Sequence, residues 1–108
     1  MSLSKSDIIF VKELFSDIPN LTTRQMMGGL SIYSEGQIFA ISSAEAVIYI
    51  KAKDQLQTDL CDQGARQFTN VTKDGKTRTM GYWTLPNEAL DDPDLACDWA
   101  KRALQDLS

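Results

Sequence analysis

Between Thr23 and Ala52 the apolar residues recur every second position, and no link in that stretch is longer than a few polar residues. Strict alternation predicts strands. A parallel crossover needs a dozen or more residues, so strands joined this closely form an antiparallel meander. Leu30 and Ile32 alternate with Ser31 and Tyr33, then Ile38 and Ala40 with Phe39 and Ile41. Ser34-Glu35-Gly36-Gln37 joins these two runs with a glycine in a turn position, which reads as a hairpin. Val47, Tyr49 and Lys51 alternate with Ile48, Ile50 and Ala52 in a third run, and Thr23 to Met27 forms a further strand leading into Gly28-Gly29. Paired glycines reach positive φ at little steric cost, so at least one is expected in a bulge or left-handed, carrying the chain from a first helix into the meander.

The flanking segments change period. Ile8, Val11, Leu14, Phe15 and Ile18 are spaced by three and four, one apolar stripe on a helix expected over Asp7 to Ile18, with Ser4 and Ser6 as candidate N-caps. Pro19 ends it, since the residue before a proline is forced from helical geometry. Asp54 is placed to cap a short second helix whose apolar side is Leu56, Leu60 and Cys61, and Gly64 supplies a left-handed stop. Gln67 to Thr72, the turn Lys73-Asp74-Gly75-Lys76 and Thr77 to Thr84 predict a second hairpin, closed by Leu85-Pro86. A last helix begins at Pro93 behind the cap Asp92 and buries Leu95, Ala96, Trp99, Ala100, Ala103 and Leu107, with Asp98 and Arg102 spaced for an ion pair.

The order is therefore α-β(3-4)-α-β(2)-α in one domain spanning residues 1–108. Hairpin-joined strands with helices before, within and after them predict an α+β two-layer sandwich, an antiparallel five- or six-stranded sheet with helices on one face. At this length a chain buries about two-thirds of its unfolded surface, enough for a core without disulfides or metals.

Chemistry is sparse. The chain has no histidine, the commonest general base and metal ligand near neutral pH. Cys61 and Cys97 lack an imidazole to activate them and are too few for zinc, and both read as small apolar core residues. The acidic run Glu88, Asp91, Asp92, Asp94, Asp98 does not match an EF-hand loop and serves a helix start. Gly28-Gly29 lacks the Lys-Ser/Thr ending of a P-loop and the three glycines of a dinucleotide fold. No enzyme activity, cofactor or metal is expected. The longest apolar run near the start, Ile8 to Val11, is too short for a membrane span or signal peptide, so the expected location is cytoplasmic.

A net charge of −4 is the wrong sign for a domain whose main task is gripping phosphate backbones. Basic charge gathers only at Arg66, Lys73, Lys76 and Arg78 on the second hairpin, a candidate surface for DNA or an acidic protein. No surplus of surface aromatics is evident there to stack bases. Tyr82 and Trp83 are adjacent in one strand, so they point to opposite faces, and one is a candidate anchor for a partner.

Arg24-x-Met26-Met27-Gly28-Gly29, Ile38 to Ile41, Val47 to Ala52, Met80-Gly81-Tyr82-Trp83-Thr84-Leu85-Pro86 and Asp92-Pro93-Asp94-Leu95 with Trp99-Ala100 together resemble the amino-terminal domain of the TfoX/Sxy competence regulators. The likeness covers about Leu14 to Leu104, departing from the family pattern at Met27 and Gly81. It rests on Arg24, Met26, Gly28, Gly29, Tyr82, Leu85 and Pro86 as structural motif positions. The resemblance implies a fold similar to the secretion chaperones and a role in switching on bacterial DNA-uptake genes. It implies action as a transcriptional co-activator with the cyclic-AMP receptor protein, with that protein or RNA polymerase as partner. Family chains often carry a second, carboxy-terminal domain. The alternatives are direct DNA contact through the hairpin 66–78, or a stand-alone interaction domain of unrelated role. A homodimer through sheet or helix faces is a further possible arrangement.

Overall fold

A computed structural model describes residues 4–26, 29–43, 45–71 and 77–107. The elements run α1 (Lys5–Leu14), β1 (Leu21–Met26), β2 (Gly29–Ser34), β3 (Gln37–Ser42), β4 (Ile48–Lys51), α2 (Asp54–Asp62), β5 (Gln67–Val71), β6 (Thr77–Thr84), α3 (Asn87–Leu90) and α4 (Pro93–Leu107). The six strands form one sheet in the order β1-β2-β3-β4-β6-β5, with every neighbouring pair antiparallel. The expected α+β architecture is present, with the larger of the two expected strand numbers.

Each helix start follows from local chemistry. Ser4 caps α1 in a reciprocal box: its Oγ accepts from the Asp7 N–H while an Asp7 carboxylate oxygen accepts from the Ser4 N–H. Asp92 caps α4 as its sequence position requires, its Oδ1 accepting from the N–H groups of Asp94 and Leu95. Asp54 does not cap α2. Lys53 is the N-cap, without a side-chain hydrogen bond, and Asp54 is the first helical residue with φ of 53°. The cause is the sheet: the Ala52 N–H still donates to the Gly81 carbonyl, so the chain must leave the strand and enter the helix within two residues.

The first helix is shorter than its stripe. It stops at Leu14, and Phe15 to Ile18 continue in tight turns in which Ser16 and Ile18 donate to the Glu13 and Phe15 carbonyls. Phe15 and Ile18 are nonetheless buried, so the stripe correctly marked the inward side chains but not the backbone that carries them. The one-turn helix α3 was not foreseen. It packs on α4 directly after Leu85-Pro86.

All helical packing falls on one face of the sheet. α4 lies over β3 and β4, α1 packs against α4, and α2 meets β6. The core between the layers contains Leu30 and Ile32 of β2, Ile48 and Ile50 of β4, Leu56 and Leu60 of α2, and the alanines of α4. Burial of such a side chain contributes about 1.5–3 kcal/mol each. Small residues at Ala96, Ala100 and Ala103 let α4 approach the sheet closely, and the Cys97 thiol donates to the Leu14 carbonyl at 3.4 Å.

A bulge in β3 shapes that contact. Ile32 is opposite Ala40 and Tyr33 is opposite Ile38, which leaves Phe39 without a cross-strand partner. Freed from the alternation, Phe39 turns into the core beside Ala40 and meets Phe15 edge to face, ring centroids 5.4 Å apart. Of the Gly28-Gly29 pair, expected to hold a bulged or left-handed glycine, only Gly29 is among the described residues. Gly29 begins β2 opposite Met26, without a positive φ. Among the described residues, Glu35 and Gly36 have φ of 51° and 81°, the pattern of a type I′ hairpin turn, and Gly64 at 88° ends α2 as predicted.

Candidate interaction surfaces

Strand register decides what the second face of the sheet presents. Arg24, Ser31, Ile41, Tyr49 and Thr84 are successive cross-strand partners and so share a face. Ile32, Ala40, Ile50 and Trp83 form the adjacent row on the core side. The row beyond returns to the first face with Thr22, Tyr33 and Ile38, while Lys51 opposes Tyr82 on β4 and β6. Tyr33, Ile38, Ile41, Tyr49 and Phe68 take no part in the helix-covered core. This face is therefore a second, separate layer of side chains.

It is organised around rings. Tyr49 and Phe68 meet edge to face, centroids 4.9 Å apart, and the Lys51 ammonium lies 5.9 Å from the centre of the Tyr82 ring. Tyr33, Tyr49 and Phe68 are half-buried among their neighbours, whereas Tyr82 is only 6% exposed. Burial, helped by the neighbouring Tyr33, pushes the Tyr82 hydroxyl above the usual tyrosine range. Tyr82 and Trp83 do point to opposite faces, but neither is the exposed anchor expected of one of them: Trp83 packs against the core.

At one end of the sheet the chain leaves a notch of about 490 Å³, between the approach to β4, the α2–β5 link and the β6–α3 link. Val47, Ile48, Ala65, Leu85, Pro86 and Leu90 supply its apolar lining, and Arg66 is the only charged residue among those that line it. Val47 stands 40% exposed at this site, because it precedes β4 and no strand or helix covers it. The Arg66 backbone is fixed by both partners of a bridge: its N–H donates to Thr84 Oγ1 and its carbonyl accepts from the Thr84 N–H, each at 2.9 Å.

The expected basic cluster is resolved only in part. Arg66 is exposed beside the notch, Arg78 is paired with Asn70 in the β5–β6 ladder, and Lys73 and Lys76 lie outside the described residues. Among the motif residues, Arg24 is exposed on the uncovered face, Met26 ends β1 and Gly29 begins β2. Leu85 and Pro86 are buried at the end of β6, where they also line the notch. The sequence reading missed Tyr33, Tyr49, Phe68 and Lys51 as a group. Their signal was the outward half of each alternation, but only the strand order brings β2, β4, β5 and β6 into one surface.

The remaining titratable groups with shifted behaviour are dispersed over different layers. Arg102 of α4 does not pair with Asp98. It reaches Asp59 of α2 at 2.5 Å and holds that carboxyl below the usual carboxylate range, with Gln55 adding a second hydrogen bond. The Arg102 guanidinium also lies 5.3 Å from the ring centre of Trp99, one turn earlier on the same helix. Burial raises the Cys97 thiol, while Cys61 is exposed on α2, so one of the two expected core cysteines is instead on the surface. No group of His, Cys, Asp or Glu among the described residues is arranged to hold a metal ion. No helix among them is long and apolar enough to cross a membrane.

A family model described as the TfoX N-terminal domain matches residues 13–107 of the chain, nearly its whole length. No curated protein matches it.

Proposed function

Because the chain belongs to the TfoX N-terminal domain family, a competence-related regulatory family, we propose that it is a non-enzymatic protein-interaction domain of a bacterial regulator of DNA-uptake genes. In this reading it works in the cytoplasm as a co-activator, meeting the cyclic-AMP receptor protein or RNA polymerase at a promoter.

The observation that supports it is the notch beside Arg66. A concave site with apolar side chains in its lining, one cation and no carboxylate among its lining residues suits an apolar anchor side chain flanked by an acidic group on a partner protein. Ile48, Leu85 and Pro86 on its floor are buried, and the Arg66 backbone is tied to Thr84, so part of the site is held in place before a partner arrives.

The test is a pull-down and titration of the native-length protein against purified cyclic-AMP receptor protein and RNA polymerase. Wild type is expected to retain one of them, and Val47→Asp or Arg66→Glu to reduce that retention at least ten-fold without changing the thermal midpoint. No association of the wild-type protein with either partner would overturn the reading.

A further inference from the structure

The chain's acidity is concentrated in its helical segments. Among the described residues, the strands and the links around them within 19–53 and 63–86 hold five Lys and Arg against two Asp and Glu. The helical segments hold four cations and twelve carboxylates, so a net charge of −4 conceals described sheet segments of +3 and helical segments of −8. The six strands themselves contain no Asp or Glu, and contain Arg24, Lys51 and Arg78.

This polarity coincides with the aromatic face. Tyr33, Tyr49 and Phe68 are spread over three strands of the side that no helix covers, with Arg24 and Lys51 in the same two rows of side chains. Half-buried rings on a sheet, with cations on the same face and no carboxylate within the strands, match what an unpaired nucleic-acid strand requires. Bases stack on ring faces regardless of sequence, and phosphates meet the cations. A duplex hides its base faces, so only its backbone would engage this surface.

We propose that the uncovered face of the sheet is a binding platform for single-stranded nucleic acid, with Tyr49 and Phe68 as the central stacking pair and Arg24 and Lys51 as phosphate contacts. The helix layer, being acidic, keeps the strand on this side of the molecule. This surface meets the Arg66 notch at Tyr49, which lines both, while Phe68, Arg24 and Lys51 do not line the notch and report on the platform alone.

Fluorescence anisotropy with labelled 12-nucleotide single-stranded DNA, the same sequence as single-stranded RNA, the DNA duplex, and a glutamate-rich peptide tests it between 50 and 200 mM salt. The expected result is binding of one or both single strands at least ten-fold tighter than of the duplex. Tyr49→Leu with Phe68→Leu should weaken it about ten-fold at an unchanged salt slope. Arg24→Gln with Lys51→Gln should reduce the slope of log K against log salt by about 1.4, two phosphate contacts. Tyr49→Phe, which keeps the ring, should bind as wild type. Circular dichroism melting identifies any variant that fails to fold, and the charge pair then decides through its slope alone. Duplex affinity equal to that of single strands, preference for the glutamate-rich peptide, or no binding at 50 mM salt would each overturn the proposal.

Discussion

Phe39→Ala is the perturbation that most directly tests how the helices are held on the sheet. The ring is fully buried, sits at the bulge without a cross-strand partner, and meets Phe15 edge to face at 5.4 Å. Removing a buried phenylalanine costs about 3–5 kcal/mol, the range set by how far the site can collapse. Collapse here is limited, because the neighbours Ala40 and Phe15 belong to a strand and to a tight turn. The expected loss is therefore about 4 kcal/mol, large against the total of roughly 5–16 kcal/mol for a domain of this length. With a urea m-value of about 2 kcal/mol/M, the midpoint should fall by about 2 M at constant m. Ile41→Ala provides the internal comparison, two positions along the same strand but half-buried on the other face, and should cost about 1 kcal/mol. The milder cycle Phe15→Leu, Phe39→Leu and the double variant keeps the protein folded and should return a coupling of about 1 kcal/mol from the ring pair. A Phe39→Ala loss no greater than that of Ile41→Ala, or a coupling of zero, would refute the claim that the bulge aims this ring into the core.

Gly36→Ala should destabilise by about 1–2 kcal/mol through the backbone alone, since φ is +81° there and an added Cβ meets nothing within 4 Å; urea titration measures it. A thiol reagent should modify one cysteine in the native protein and two in denaturant, because Cys61 is exposed and Cys97 is buried. Asp59 is held below its ordinary range by Arg102, so its contribution to stability is present above the unfolded carboxylate value and disappears as pH falls below about 4 through the lower folded value. Asp59→Asn should remove that part of the acid limb in a series of thermal midpoints from pH 6 to pH 2, and identical limbs would contradict it.

The sequence determined the elements because their signals are local. Alternation from Thr23 to Ala52, the stripe beginning at Ile8, the caps at Ser4 and Asp92 and the stop at Gly64 each act within a few residues, and the structure contains the strand, helix or turn that each specifies. Short links made the sheet antiparallel without any long-range knowledge. Readings failed where a distant contact outweighed a local preference. Asp54 lost its capping role because Ala52 remains bonded to Gly81. Arg102 left its helix neighbour Asp98 for Asp59, forty-three residues away. Phe39 abandoned the alternation because a register shift against β2 released it. The tertiary structure alone decided the surfaces. Placing β6 between β4 and β5 sets Tyr49 beside Phe68 and Lys51 over Tyr82, and brings Arg66 to the end of β4. Each residue in the sequence carries its own face preference. Which strand lies next to it depends on loop closure and on how the helices cover one side, a property of the whole chain.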